Sequence, residues 1–241
     1  MRTIIRSVLL LSIVFSFGNE LFAQLSYGKI VFERKTNLYK KFKEDDVKDW
    51  LKEEDKNKVD VFELYFNDSL SLFKPQESDL KEKMSWATSK NIVYQNFKEN
   101  STLSIKSVWG EDLYVLDTVK KREWKVTESK RMISGYNCRK AIWEMNDSTR
   151  IYAWYTDDII SSVGPESFCG LPGAILGLAT EDGGVIYFAK SIEISKPDTE
   201  TLLFKKGKKK IYTPAELRAK LEKDFGKNPW GKIMIRELFS W

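Results

Sequence analysis

The stretch YNCRKAIWEMNDSTRIYAWYT, Tyr136 to Thr156, holds two alternating runs around a cluster of turn residues. In the first run Arg139, Ala141, Trp143 and Met145 interleave with Lys140, Ile142 and Glu144. Successive side chains of a strand point to opposite faces, so this run reads as buried on at least one face and chemically mixed on the other. Asn146-Asp147-Ser148 supplies the turn. The second run, Arg150 to Thr156, sets Tyr152 and Trp154 on one face and Ile151, Ala153 and Tyr155 on the other. The reading is a β-hairpin from Tyr136 to Thr156.

Similar runs, rich in β-branched and aromatic residues and bounded by Asn, Asp, Gly and Ser, recur on both sides. They predict strands at Lys29–Lys35, Val59–Phe66, Asn91–Phe97, Thr102–Val108, Asp112–Leu116, Glu123–Thr127, Ala174–Ala179 and Val185–Ile194. Two helices interrupt them. Val47, Trp50 and Leu51 form a narrow apolar stripe in the charged stretch Lys41–Lys56. Thr213-Pro214-Ala215-Glu216 offers an N-cap, a proline at the first helical position and a capping-box glutamate, with Leu217, Leu221 and Phe225 as the buried stripe and Gly226 as the stop. Asn228-Pro229-Trp230-Gly231 then reads as a turn into a short apolar tail. The expected fold class is α+β, a predominantly antiparallel sheet with two peripheral helices.

Residues 1 to 23 read as a signal peptide: Arg2 and Arg6 begin it, Ser7 to Phe17 is its apolar region, and Leu21-Phe22-Ala23 precedes the cut. Removal of Arg2, Arg6 and Glu20 leaves 38 basic and 34 acidic residues of the original 40 and 35. Both signs are mixed along the chain, which gives no electrostatic case for nucleic acid. The exported product is expected to carry no membrane span. Residues 24–241 read as a single β-rich domain with a C-terminal helical extension from about 205.

Histidine is absent, which removes the usual base near neutral pH and the commonest metal ligand. No metal, cofactor or catalytic residue is assigned. Two cysteines, Cys138 and Cys169, make an even count, most economically one disulfide in an exported protein. Its loop of about 32 residues would stabilise the fold by roughly 3.5 to 4 kcal/mol in the chain-entropy model. Free buried thiols, or a metal pair, are the alternatives.

Phe168-Cys169-Gly170-Leu171-Pro172-Gly173-Ala174-Ile175-Leu176 places three punctuating residues inside an apolar run. Pro172-Gly173 suits the centre of a type II turn, with Gly173 at positive φ, before Ala174-Ile175-Leu176 enters a buried strand. Neither a P-loop nor a GxSxG elbow is present. Here the chain resembles the GLPGLI proteins of bacteria, whose hexapeptide stands as Gly170-Leu171-Pro172-Gly173-Ala174-Ile175. Ile133-Ser134-Gly135-Tyr136-Asn137-Cys138-Arg139-Lys140-Ala141, Ala153-Trp154-Tyr155-Thr156, Gly164-Pro165 and Phe66-Asn67-Asp68-Ser69-Leu70 are similar to further elements of that family. The resemblance implies a secreted or periplasmic β-rich protein associated with outer-membrane transport components, with no established reaction. The family is similar to the bowl-shaped, non-catalytic N-terminal domain of certain peptide N-glycosidases, which makes the expected sheet bowl- or sandwich-like.

Two functional expectations follow. In the first, a non-enzymatic envelope protein binds an outer-membrane transport protein or an extracytoplasmic ligand through a concave β face, with Trp143, Tyr152, Trp154 and Tyr155 as its aromatic anchors. In the second, a hydrolase of an extracytoplasmic glycan or peptide works through paired carboxylates drawn from Asp157, Asp158, Glu166 and Asp182.

Overall fold

The computed structural model describes residues 25–239 except 44, 45, 79–82, 109, 147 and 148. The predicted signal segment, and Asp147-Ser148 of the predicted turn, lie outside the described residues. Among the described residues, twelve strands form one sheet. In chain order they are β1 (Gly28–Asn37), β2 (Asn57–Phe66), β3 (Leu70–Pro75), β4 (Ile92–Asn96), β5 (Ser101–Val108), β6 (Glu111–Thr118), β7 (Lys125–Ile133), β8 (Tyr136–Asn146), β9 (Thr149–Thr156), β10 (Ala174–Thr180), β11 (Val185–Glu193) and β12 (Ile211–Tyr212). The helices are α1 (Leu38–Lys41), α2 (Pro214–Phe225) and α3 (Pro229–Leu238).

The spatial order is β12-β6-β5-β4-β3-β2-β1-β11-β10-β9-β8-β7. Two meanders, β1 to β6 and β7 to β11, thus meet where β1 pairs antiparallel with β11. Among the described strands, only β12 runs parallel to its neighbour, β6. The predicted hairpin is β8–β9, with Ala141 opposite Ala153 and Trp143 opposite Ile151.

Alternation explains the core. Ile30 and Phe32 of β1, Phe62 and Leu64 of β2, Phe73 of β3 and Val93 of β4 share one cluster with Ile151, Ala153 and Tyr155 of β9. Phe168 and Leu171, from the segment 157–173 between β9 and β10, lie in the same cluster. One face of the sheet therefore curls around that segment. On the other face, Leu70 and Leu72 of β3 are covered by Leu202. A third cluster fixes the C-terminal helices: Leu217, Leu221, Ile235 and Leu238 pack on Leu113 and Val115 of β6.

The capping box of α2 forms as expected: Glu216 N–H donates to Thr213 Oγ1 at 3.2 Å, and Thr213 N–H donates to the Glu216 carboxylate at 2.8 Å. Asn228-Pro229 starts α3 rather than a turn, because proline at the first helical position leaves no necessary donor unmet. The helix expected over Lys41–Lys56 is not continuous; α1 is followed by 3₁₀ turns at Asp46–Trp50 and Glu53–Asp55. Trp50 is 85% exposed while Val47 and Leu51 are half-buried, so the stripe is only partly covered.

The expected disulfide is not formed, and Cys138 and Cys169 are both free and buried. The two thiols have separate surroundings: Cys138 Sγ lies 3.6 Å from its acceptor, Tyr136 O, whereas Gln95 Nε2 of β4 donates to Cys169 Sγ at 3.9 Å. Burial pushes the Cys138 thiol up to about 11 and raises that of Cys169. Both are therefore held as protonated, unreactive thiols near neutral pH.

Candidate functional site

The site begins with two residues that break the apolar parity of the central strands. On β1, Arg34 follows Ile30 and Phe32 on the inner face; on β2, Asp60 precedes Phe62 and Leu64 on the same face. Their side chains are 8% and 0% exposed, and Arg34 Nη2 meets Asp60 Oδ2 at 2.7 Å. Thr88 Oγ1 donates to the same oxygen at 2.9 Å, and Lys58 Nζ lies 2.9 Å from Asp60 Oδ1. Burial opposes both charges. Around Arg34 it is outweighed by Tyr187, Glu166 and Asp60, which hold the guanidinium pKa above its ordinary value. Around Asp60 it is outweighed by Arg34, Lys58 and Thr88, which hold the carboxyl below its ordinary range.

Glu166 faces this pair from the segment 157–173. Tyr187 O–H donates to Glu166 Oε1 at 2.8 Å, Asn91 Nδ2 donates to Oε2 at 3.2 Å, and Arg34 Nη1 lies 3.8 Å from Oε1. Burial, then the charge of Glu166, raise the Tyr187 phenol well above its ordinary value, so it is a donor at neutral pH. Glu166 itself has φ +55, a left-handed backbone that non-glycine residues seldom adopt. Neighbouring bonds hold it there. Arg122 donates to Ser167 O at 2.9 Å and Ser167 Oγ at 3.1 Å, Trp124 Nε1 donates to Cys169 O at 3.0 Å, and Gly170 N–H donates to Ser162 Oγ at 2.7 Å.

The Gly170–Ile175 motif anchors that arrangement by a route different from the expected one. Positive φ falls at Gly170, +94, and not at Gly173. Gly173 is required by close approach, since a Cβ there would sit 1.9 Å from Thr156 O. The turn presses against the end of β9, and Ala174 then pairs with Thr156.

Above this floor lie two adjoining cavities. The inner one, about 250 Å³, is lined by Arg34, Glu166, Asp182 and Tyr187. The outer cleft, about 1070 Å³, lies between α1, the segment before β4 and α3. Lys40, Lys41, Thr88, Ser89 and Glu237 line both. Lys40, Lys41, Lys43, Lys90 and Arg236 line the cleft, against one lining carboxylate, Glu237. Lys41 Nζ pairs with Glu237 at 2.8 Å, and Lys40 Nζ donates to Asp182 O. Trp86 and Trp230 stand on the rim 64% and 50% exposed. The cleft thus offers positive charge and two flat aromatic faces.

The predicted aromatic anchors do not form one surface. Tyr155 is a core residue, and Trp143 packs beside Phe168 at 6.2 Å with Arg122 over its ring at 5.3 Å. Tyr152 and Trp154 lie on the opposite face, where Lys140 is 3.8 Å from the Tyr152 ring and Arg131 is 5.0 Å from that of Trp154. Of the four predicted carboxylates, Asp157 and Asp158 are exposed, whereas Glu166 and Asp182 reach the same inner cavity. Arg34, Asp60 and Tyr187 were not singled out by sequence reasoning. Their signal was a charged residue at the apolar parity of two adjacent strands.

A family model described as "Protein of unknown function (Porph_ging)" matches residues 143–177. That segment holds most of the β8–β9 hairpin, the loop carrying Glu166 and the Gly170–Ile175 motif. No curated protein matches the sequence. Among solved structures, PNGF-II in space group P21 is similar at 19% identity and TM-score 0.53, covering 78% of this chain and 31% of its own. The C2 form of PNGF-II is similar at 19% identity and TM-score 0.52, with the same coverage. The chain spans about a third of the length of that protein, and the likeness is one of fold.

Proposed function

We propose that the protein is an exported, non-enzymatic binding protein of the bacterial envelope, most simply periplasmic, that holds an acidic oligosaccharide in the cleft between α1 and α3. The carrying observation is the union of cationic lining and exposed tryptophans. Five basic residues face one carboxylate in the cleft, and a low-dielectric wall focuses such a field on an approaching anion. Trp86 and Trp230 present flat apolar faces to sugar rings. The signal-like residues 1–23 support export. The motifs at 133–141 and 170–175 support membership of the GLPGLI family and, with it, service beside an outer-membrane transport system. Among the described residues, no helix is long and apolar enough to cross a membrane.

The test is quenching of tryptophan fluorescence in residues 24–241 by a linear uronic-acid oligosaccharide, by its carboxyl-reduced form and by an acidic peptide of equal charge. The acidic sugar should saturate the signal and the neutral sugar should bind about tenfold or more weakly, equivalent to roughly 1.4 kcal/mol. Trp86→Ala and Lys43→Ala should each weaken the acidic sugar. Saturation by the peptide but not the sugar overturns the reading.

A second reading, carboxylate-dependent hydrolysis of a glycan or peptide, has one observation in its favour: Glu166 and Asp182 line the same inner cavity. Burial resists ionisation of Asp182, but bonds from Thr180 Oγ1 and Gly184 N–H, with Lys40 nearby, hold its carboxyl below the ordinary range. It would serve as the ionised partner, with Glu166 as the second carboxyl. Turnover of the same oligosaccharide, lost in Glu166→Gln, would establish this reading.

A further inference from the structure

A third cavity, of about 900 Å³, lies on the far side of α3, between the helical hairpin and the β8–β9 hairpin. Met145 and Ile151 contribute its sheet wall, and Ile235 and Phe239 its helical wall. Its rim differs sharply from its interior. Arg218, Lys227, Lys232 and Arg236 stand there against Glu222 and Glu237. Both acids have cationic partners: Glu222 lies 3.9 Å from Arg218, and Glu237 pairs with Lys41. The Arg218 guanidinium lies 4.5 Å from the Phe239 ring, so its stem and that ring extend the apolar wall up to the charged mouth.

This combination selects a ligand class. Water gains few hydrogen bonds from an apolar wall, so an apolar body is the favourable occupant. The volume lies within the range of small-molecule sites, roughly 300 to 1,000 Å³. The excess of cations at the mouth asks for one anionic group at the end of that body. We propose that this cavity binds a single-chain amphiphile with an anionic head, a long-chain fatty acid, with Lys227 and Lys232 at the carboxylate. The site is separate from the oligosaccharide cleft and shares with it only Arg236 and Glu237.

The experiment titrates residues 24–241 with cis-parinaric acid, a fluorescent fatty acid, and displaces it with palmitate or with hexadecanol. Saturable emission displaced by palmitate is expected, with hexadecanol weaker by about tenfold. Lys227→Glu combined with Lys232→Glu should weaken the fatty acid by about tenfold or more while the thermal midpoint stays that of the parent, since both side chains are exposed. Met145→Arg, which fills the sheet wall, should abolish binding while oligosaccharide quenching in the cleft persists. Absence of saturable emission overturns the proposal. So does equal affinity for the alcohol, or full affinity in the doubly reversed variant.

Discussion

Gly173→Ala should destabilise the fold more than any other glycine-to-alanine change in the Gly170–Ile175 motif. An added Cβ would stand 1.9 Å from Thr156 O and 2.8 Å from Thr156 C, both backbone atoms, with Ile159 O 3.0 Å away. A real Cβ needs more than 3 Å, so β9 or the turn must retreat by over an ångström. Thr156 is fully buried and paired with Ala174, which leaves little room to yield. Overpacking of a well-filled site costs about 1–3 kcal/mol and occasionally more, and this case belongs at the upper end. Gly170→Ala meets nothing nearer than 3.6 Å but sits at φ +94, so its cost is backbone strain, about 1–2 kcal/mol. Gly207→Ala has open space and ordinary φ and should be neutral. Urea unfolding of the three variants gives the order directly. In thermal melts a loss of about 3 kcal/mol corresponds to roughly 6–12 °C for a domain of this size. Equal losses at 170 and 173, or a larger one at 170, would refute close approach as the reason for the second glycine.

Asp60→Asn leaves buried Arg34 with a weaker partner and should cost roughly 3–5 kcal/mol at neutral pH, as breaking buried pairs does. The Asp60 carboxyl is depressed in the fold, so its contribution is fully present above the ordinary carboxylate pKa and lost as pH falls through the folded value; stability curves of parent and variant should converge in acid, and a constant gap would contradict the assignment. Because both cysteines are free, a reductant should leave the unfolding midpoint unchanged, and denatured protein should take up thiol reagent at Cys138 and Cys169 without prior reduction; a fall in midpoint would show a disulfide. Arg122→Ala removes two bonds to Ser167 beside strained Glu166 and should cost about 1–3 kcal/mol; a negligible change would mean that the segment holds Glu166 without it.

Most strands were legible because their alternation is long and their boundaries carry turn residues. The β8–β9 hairpin is the clearest case, with Ile151, Ala153 and Tyr155 inward and Tyr152 and Trp154 outward. β3 was missed: LSLFKP is six residues, apolar on both faces, and ends in proline, so it shows no period of two. The stretch 41–56 misled because three apolar residues among many charges make a stripe too thin to hold one continuous helix, with Trp50 left exposed. The motif was visible, but its physics was not, since a close approach between Gly173 and Thr156 is a tertiary fact with no local signature. Arg34 and Asp60 could have been found by asking why a charge occupies the parity of Ile30, Phe32, Phe62 and Leu64. Trp86 and Trp230 could not, because each stands alone in sequence and only the fold brings both to one cleft.

The most direct test of the binding account is the fluorescence titration of residues 24–241 with an acidic oligosaccharide, performed in parallel on Trp86→Ala and Trp230→Ala. The account predicts saturable quenching in the parent, a smaller signal and weaker binding in each variant, and loss of binding in high salt, because exposed cations are screened within about 10 Å at 0.1 M ionic strength. Quenching that persists undiminished in both variants, or that ignores salt, would place the ligand elsewhere and contradict it.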